Sequence, residues 1–385
     1  MTFPELIKIL RQESFSLEAA WKIRREFNYY RFDSGAGKAD GLEAAAGKYK
    51  DDLFARKFMR HRLSSGFFLF PAGEYREVYA KMMPAQRKQV IAAADLICRN
   101  RIPVFGEFAD FGSEEINWQR DYKNDYCWDS QVLYYRKKSA GEVVKENRAD
   151  VKIPWELSRL QFLSFLGIAY WLTDEKQYAR EFSRLVNDWI DNNPPYRGIN
   201  WACAMEVAIR AVNLIWGVAF FLDCPEISDE LIYRIRKVLI CSHRFIKGNL
   251  ERKFRASGNH YLADLTGLIH LGIFLPDDCG DDLSWALDEL YSEICRQVYL
   301  DGVSFEASTG YHRLALELFY SSALLCEVNK ISFPDPFWEI LSRMFGYARA
   351  CRKPDLTACR FGDNDSGRLL SFALWIPRKR RYIAT

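Results

Sequence analysis

Two four-residue segments carry residue types suited to acid–base chemistry: Gly258-Asn259-His260-Tyr261 and Gly310-Tyr311-His312-Arg313. Each opens a strongly apolar helical stretch. Each puts an amide or phenol, plus an imidazole, at a predicted helix N-terminus. That end of a helix presents unpaired N–H groups and a partial positive charge, so it attracts anions and favours deprotonated side chains. Removing a proton next to a carboxylate needs such a setting. Three of the five histidines, His260, His270 and His312, fall within these two helices. Taken singly, Asn259 reads as an N-cap, His260 as a satisfied histidine and Tyr311 as a core or rim tyrosine. The same arrangement at two helix starts raises them together as site candidates.

A further polar group lies in the stretch Trp201 to Leu222, whose only strongly polar residues are Glu206, Arg210 and Asn213. Spacings of four and three put them in one stripe on a single helix face. A buried Glu206–Arg210 pair that fixes packing and the polar wall of a cavity are both open readings, and Asn213 tilts the balance towards the wall. Arg313 and Glu317, again four apart, read as a helix ion pair. Phe361 to Arg368 is a polar turn with Asp363 and Asp365 two apart, but it lacks the ligand ladder and terminal Glu of a calcium loop. It reads as a structural turn. No other metal constellation is visible, and there is no P-loop, nucleotide fingerprint or nucleophile elbow.

The elements that must position these residues are helical. Residues 1 to about 60 read as helix, a Gly/Ala-rich connection from Ser34 to Gly47, and helix again. Residues 61–150 are mixed, with turns at Ser64-Ser65-Gly66 and Pro71-Ala72-Gly73 and an irregular aromatic stretch from Phe105 to Tyr135. From Pro154 onward two kinds of helix alternate. In the first, apolar residues recur every three and four: Tyr178, Phe182, Leu185, Val186, Trp189, Ile190; then Ile227, Leu231, Ile235, Val238; then Leu287, Leu290, Tyr291, Ile294, Val298. These are outer helices. The second kind, Trp201 to Leu222, Tyr261 to Leu275 and Tyr311 to Cys326, is apolar nearly all round and therefore inner. Asn192-Asn193-Pro194-Pro195, Asp223-Cys224-Pro225 and Pro276-Asp277-Asp278 separate them. Outer alternating with inner is the pattern of stacked helical hairpins. The expected fold is all-α, an incomplete α/α toroid whose inner helices border a cleft. A straight solenoid would have repeats more regular than starts near 155, 201, 261 and 311.

Composition narrows the partners. The chain has 385 residues, 49% hydrophobic content and a net charge of +3. That supports a large core and gives no global case for nucleic acid. Aromatic residues make up 15%, which fits a large aromatic core and also a groove of flat amphipathic rings suited to sugars. The ten cysteines form no CxxC pair and read as buried free thiols. Met1 to Phe15 carries Glu5, Lys8 and Arg11, unlike a signal peptide, and no window reaches the uncharged length of a membrane span. These observations predict a soluble protein of a reducing compartment.

Five segments together resemble the heparinase II/III-like polysaccharide lyases. They are Trp155-Glu156-Leu157-Ser158-Arg159, Asn200-Trp201-Ala202-Cys203-Ala204-Met205-Glu206, Gly258-Asn259-His260-Tyr261-Leu262, Ser308-Thr309-Gly310-Tyr311-His312 and Gly362-Asp363-Asn364-Asp365-Ser366-Gly367. They run in the same order from about residue 100 to 370. The resemblance implies an α/α toroid followed by a β-sandwich, and β-elimination of acidic polysaccharides such as heparan sulfate or alginate. It implies that Asn259 and His260 neutralise a uronate carboxylate while Tyr311 serves as base and acid, with His312, Arg313, Glu206, Arg210, Asn213 and Arg159 as substrate-binding candidates. The chemistry is consistent: hydrogen bonds to the carboxylate stabilise enolate-like charge. A tyrosine with a pKa of about 10 becomes a base once the helix N-terminus and Arg313 or His312 hold its phenolate. No cofactor and no metal are needed.

The toroid is expected over 1–370, followed by a basic tail, Ile376 to Tyr382, without alternating strand pattern. The expectation is that the β-sandwich is missing, so that a further domain or a partner chain completes the cleft. Family relatives often act outside the cytoplasm, which sets a periplasmic or secreted location against the cytoplasmic one. The alternative to a lyase is a non-catalytic glycan-binding or polysaccharide-biosynthesis accessory protein. A third reading, a toroidal glycoside hydrolase, needs two opposed carboxylates, with Glu206, Glu306 and Glu317 as candidates.

Overall fold

Helical hairpins build the core, each with one arm apolar on nearly every face and the other apolar on one face. The structure is a computed structural model. It describes residues 52–64, 81, 84–134, 148–253, 257–355, 357–365 and 367–371, all within a unit spanning Tyr49–Thr385. The expected elements before residue 52, the turns at 64–66 and 71–73 and the basic tail lie outside or at the edge of the described residues.

Two helices lead in, α1 (Asp52–Ser64) and α2 (Pro84–Ile97). The stretch from Phe105 to Tyr135, expected to be irregular, includes two small antiparallel hairpins. β1 (Arg101–Val104) pairs with β2 (Glu107–Asp110) in the register Arg101 to Asp110, and β3 (Arg120–Asp121) pairs with β4 (Tyr126–Cys127). Strands this short carry too little alternation to stand out in sequence. A short helix, α3 (Lys152–Ser158), follows.

Four hairpins come next: α4 (Leu163–Thr173) with α5 (Gln177–Asn192), and α6 (Ala204–Phe221) with α7 (Asp229–Gly248). Then α8 (Asn259–Phe274) passes through the one-turn α9 (Pro276–Cys279) to α10 (Leu283–Gln297), and α11 (Thr309–Val328) pairs with α12 (Asp335–Ala350). The first arms pack on one another in chain order, α4 on α6, α6 on α8 and α8 on α11, while each second arm packs outside its own partner. This is the expected incomplete α/α toroid, with α2 extending the inner layer against α4.

The apolar spacing explains the layers. On α5 the buried set is Tyr178, Ala179, Phe182, Leu185, Val186, Trp189 and Ile190, and the residues between face outward. Fully burying each large apolar side chain contributes about 1.5–3 kcal/mol, so one striped face suffices to dock an outer helix. On α6 every residue except Trp216 is buried. It is long and apolar enough to cross a membrane, but 94% of it is enclosed by the fold and it carries Glu206 and Arg210. It is a core helix. Chain breaks sit where the sequence places them: α5 stops before Asn193-Pro194-Pro195, because proline disfavours helix in the residue before it. Ser228 caps α7 by accepting from the Leu231 N–H.

Candidate active site

The start of α8 is satisfied from a distance. Gly258 is the N-cap and makes no side-chain cap bond; Asn259 is the first helical residue. Its amide nitrogen donates to Glu306 at 3.0 Å (Oε1) and 3.2 Å (Oε2), and its backbone N–H reaches Oε1 at 3.3 Å. The N-cap role open to Asn259 from sequence is therefore corrected: a carboxylate 47 residues later caps the helix. Negative charge at a helix N-terminus is favourable. Gly258 makes room for it, since a Cβ there would lie 2.3 Å from Glu306 Oε1. The turn that delivers Glu306 is strained, with Ala307 at φ 53°.

His260 lies at the surface beside the half-buried Glu251 and the buried Cys203. Its Nδ1 is 3.0 Å from Glu251 Oε1, and Glu251 Oε2 accepts from the Met205 N–H at 2.9 Å and from the Cys203 thiol at 3.4 Å. Cys203 Sγ is 3.8 Å from His260 Nδ1. The three side chains therefore offer ligand atoms within 4.8 Å of one another. The sequence expectation of no metal constellation missed this set, because 48 and 57 residues separate Cys203 from its partners. Burial opposes the imidazolium of His260, but the Glu251 hydrogen bond and charge, with Glu206 and Glu306 adding, raise its pKa.

The start of α11 is satisfied locally. The Ser308 hydroxyl accepts from the Gly310 and Tyr311 N–H groups at 3.1 and 3.2 Å and donates to the Asp363 carbonyl. Thr309 bonds the Cys359 and Phe361 carbonyls, so the turn 361–365 is stitched to the helix start. Gly310 permits this, because a Cβ would lie 2.9 Å from the Asp363 carbonyl oxygen. The turn presents Asp365, whose Oδ2 accepts from the Tyr311 hydroxyl at 2.6 Å and from Lys152 Nζ at 2.8 Å.

This geometry corrects the expected activation of Tyr311. Burial and the Asp365 hydrogen bond and charge push its pKa up, with Asp363 and Glu306 adding. As placed, the phenol stays protonated. His312 gives it no positive charge. The His312 ring is buried, with Nδ1 facing the Ser304 N–H at 3.3 Å and Nε2 facing the Met344 carbonyl at 3.1 Å, and burial lowers its pKa. It sits in the core with both ring nitrogens engaged. Arg313 is exposed.

The stripe on α6 divides. Glu206 pairs with Arg159 through two bonds of 2.7 Å, and Arg159 also binds Glu156 at 2.8 Å. Of the two open readings of the stripe, a Glu206–Arg210 pair gives way to this Arg159 pair. Arg210 is fully buried, donates to the Asn200 carbonyl at 3.0 Å and lies 4.4 Å over the Trp189 ring and 5.3 Å from that of Trp201. Burial lowers its pKa to about 9. Asn213 donates to the Ile209 carbonyl and, at 2.8 Å, to the Leu369 carbonyl. Both are buried and bonded within the fold. Glu317 accepts from the Leu369 and Leu370 N–H groups at 3.1 and 3.0 Å. With Glu206 held by Arg159, Glu317 by backbone and Glu306 by Asn259, the hydrolase reading has no opposed pair of unengaged carboxylates.

One connection brings the two helix starts into the same field. Glu306, bonded to Asn259, acts electrostatically on both His260 and Tyr311. Arg159, bonded to Glu206, likewise acts on Asp365. Glu251, Asp365 and Lys152 are the polar neighbours that sequence reasoning missed. Glu306 appeared in it only as a hydrolase carboxylate. The one signal available was that Asp365 lies in a segment with the family pattern.

A family model described as the heparinase II/III N-terminus matches residues 72–373. A heparin-sulfate lyase of Pedobacter heparinus is 26% identical over 243 residues, covering 59% of this chain and 36% of its own length. One from Bacteroides stercoris is 24% identical over 271 residues, covering 61% and 40%. The matched stretch is thus well under half of these curated relatives. The crystal structure of heparan sulfate lyase from Pedobacter heparinus shares the fold, with a TM-score of 0.53 at 21% identity over 85% of this chain and 49% of that one. With most of its length under the family model, the chain belongs to the heparinase II/III N-terminus family.

Proposed function

We propose that the chain provides the toroid of a polysaccharide lyase that cleaves a uronate-containing acidic polysaccharide by β-elimination. The observation that supports the reading is the shared field at the two helix starts: the Glu306 carboxylate is hydrogen-bonded to Asn259 and acts electrostatically on both His260 and Tyr311. His260, exposed and with a raised pKa, binds the uronate carboxylate and stabilises the charge that develops when C5 loses its proton. Asn259 adds to this when its amide turns from Glu306 to the sugar. Tyr311 donates its proton to the leaving glycosidic oxygen. For the preceding step it accepts the C5 proton as the phenolate, which requires that substrate binding first part it from Asp365 and that its own proton leave to solvent. Relatives named heparin-sulfate lyase make heparan sulfate the first substrate to try.

The test is a near-ultraviolet absorbance screen for the unsaturated product with heparan sulfate, alginate, hyaluronan and acidic bacterial exopolysaccharides. Product that depends on Tyr311 supports the reading. No product across the panel sinks it. One observation favours a second reading, a non-catalytic glycan-binding protein: the Tyr311 phenol is held by Asp365 and its pKa is raised. Under that reading Tyr311→Phe binds glycan as well as the parent chain and neither forms product. The location also remains a proposal: the ten free thiols fit a reducing compartment.

A further inference from the structure

A thiol, a carboxylate and an imidazole from three separate stretches of chain converge beside the start of α8. Cys203 precedes α6, Glu251 follows α7, and His260 is the second residue of α8. Their separations are 3.4 Å from sulfur to Glu251 Oε2, 3.0 Å from Glu251 Oε1 to Nδ1 and 3.8 Å from sulfur to Nδ1, and one ligand atom from each side chain lies within 4.8 Å of the others. A tetrahedral zinc ion with a thiolate at about 2.3 Å and nitrogen and oxygen at about 2.0–2.1 Å has ligand–ligand edges of about 3.3–3.6 Å. The sulfur–Nδ1 edge of 3.8 Å is close to that range, and the carboxylate sets one oxygen towards each of the other two ligands. We propose that Cys203, Glu251 and His260 form a binding site for one thiophilic divalent cation, zinc foremost, with its fourth position open to solvent.

Burial grades across the cluster as an open site requires. Cys203 is 4% exposed and forms the floor, while the side chains of Glu251 and His260 are 29% and 48% exposed at the mouth. The carboxylate is fixed from behind by the Met205 N–H, and the Glu251 N–H is anchored on Asp264 at 2.7 Å. Such outer contacts hold ligands in orientation. The surrounding charge is negative: Glu206 and Glu306 act on His260, and Glu206 and Asp264 act on Cys203. The nearby guanidinium of Arg159 is spent on Glu206 and Glu156. A cation here meets carboxylates that are otherwise mutually repulsive.

The chemistry separates this reading from a Cys–His nucleophile. A catalytic thiol has a depressed pKa and an accessible sulfur. Cys203 has the reverse: burial, then the charge of Glu251, holds it protonated. Metal binding substitutes for that proton. The ion accepts electron pairs from the sulfur, a carboxylate oxygen and Nδ1, and the thiol and Nδ1 protons leave to solvent. The imidazole is then fixed with its proton on Nε2. The site shares His260 with the lyase reading, since a bound cation leaves that imidazole neutral with its proton on Nε2; metal binding is read without substrate, so its failure and that of the lyase reading are distinguishable.

The test is titration of the full chain with zinc chloride and with cobalt chloride, in wild type, Cys203→Ser and Cys295→Ser. Cys295 is an exposed thiol elsewhere and serves as the control. The expected result is one tight equivalent of metal, released protons, and a thiolate-to-cobalt charge-transfer band in the near ultraviolet. Cys203→Ser removes the band and weakens binding at least about tenfold, while Cys295→Ser changes neither. No stoichiometric binding by wild type, or a band that survives Cys203→Ser, overturns the proposal. Should Cys203→Ser fail to fold by circular dichroism, zinc-edge anomalous diffraction from wild-type crystals decides. A peak between the three side chains supports the site; a peak elsewhere, or none, overturns it.

Discussion

The starts of α8 and α11 share a glycine followed by polar and aromatic residues, yet they are satisfied in opposite ways. At α8 the first turn depends on tertiary structure: Glu306 reaches across from the approach to α11 and takes the Asn259 N–H and amide. At α11 the first turn is closed by its own Ser308, which leaves the Tyr311 side chain to reach Asp365. One end holds an amide and receives a carboxylate on the helix axis. The other holds a phenol whose carboxylate partner sits off the axis and raises its pKa. A shared sequence signature thus identifies a helix end without fixing the sign of the field its side chains meet.

The largest expected effect separates the chemistry of α11 from its folding. Tyr311→Phe should lower product formation by about 10²–10⁴-fold, while loss of one hydrogen bond to a charged acceptor costs about 1–3 kcal/mol of stability. Initial rates and urea unfolding on the same preparation give both numbers. A stability loss equivalent to the rate loss would make Tyr311 structural and erase the contrast between the two ends.

Next in size is the ion cluster beneath both ends. Arg159→Ala leaves the Glu206 and Glu156 carboxylates without their guanidinium, which should cost about 3–5 kcal/mol in denaturant unfolding. A cost under about 1 kcal/mol would mean that water already compensates them. Gly258→Ala drives a methyl against Glu306 and should cost about 1–3 kcal/mol. Ser308→Ala removes only the local cap, about 1 kcal/mol. Equal costs for these last two would break the distinction between long-range and local capping.

The smallest effect is pH dependence at α8. The raised pKa of His260 contributes stability that is full below its unfolded value of about 6.5 and is lost as pH rises through the folded value. For Glu251, burial raises the pKa, but the His260 contact and the Met205 N–H lower it overall. Its contribution is full above about 4.3 and is lost as pH falls through the folded value. The two therefore overlap between these limits. The gap between the melting curves of wild type and Glu251→Gln should narrow as pH rises through the folded pKa of His260 and again as it falls through that of Glu251, and parallel curves would remove the pair from the account.

The layers were legible because burial on one face or on all faces writes itself into apolar spacing. The inner helix expected from Trp201 to Leu222 runs from Ala204 to Phe221. The short hairpins near 101–127 were not legible, because strands of two to four residues hold no period. At the site, spacing reported which face a side chain occupies but not what stands opposite. Glu206 and Arg210 do share a stripe, yet the partner of Glu206 comes from Arg159 and that of Arg210 from two tryptophan rings. His312 follows Tyr311 by one residue, about 100° around the helix. That rotation carries it from the rim into the core.

The polar residues of the inner helices have one more consequence. Asn213 on α6 and Glu317 on α11 grip the main chain at Leu369 and Leu370, while Gln161 and Ser164, at the head of α4, take the carbonyls of Arg368 and Ser371. The helices thus treat a stretch of their own polypeptide as a bound peptide. A protease cut within 360–366 would leave that strip held by these contacts and by the burial of Leu369. Supplied separately, the corresponding synthetic peptide should restore the severed protein by rebinding, much as a key returns to the lock it was cut for.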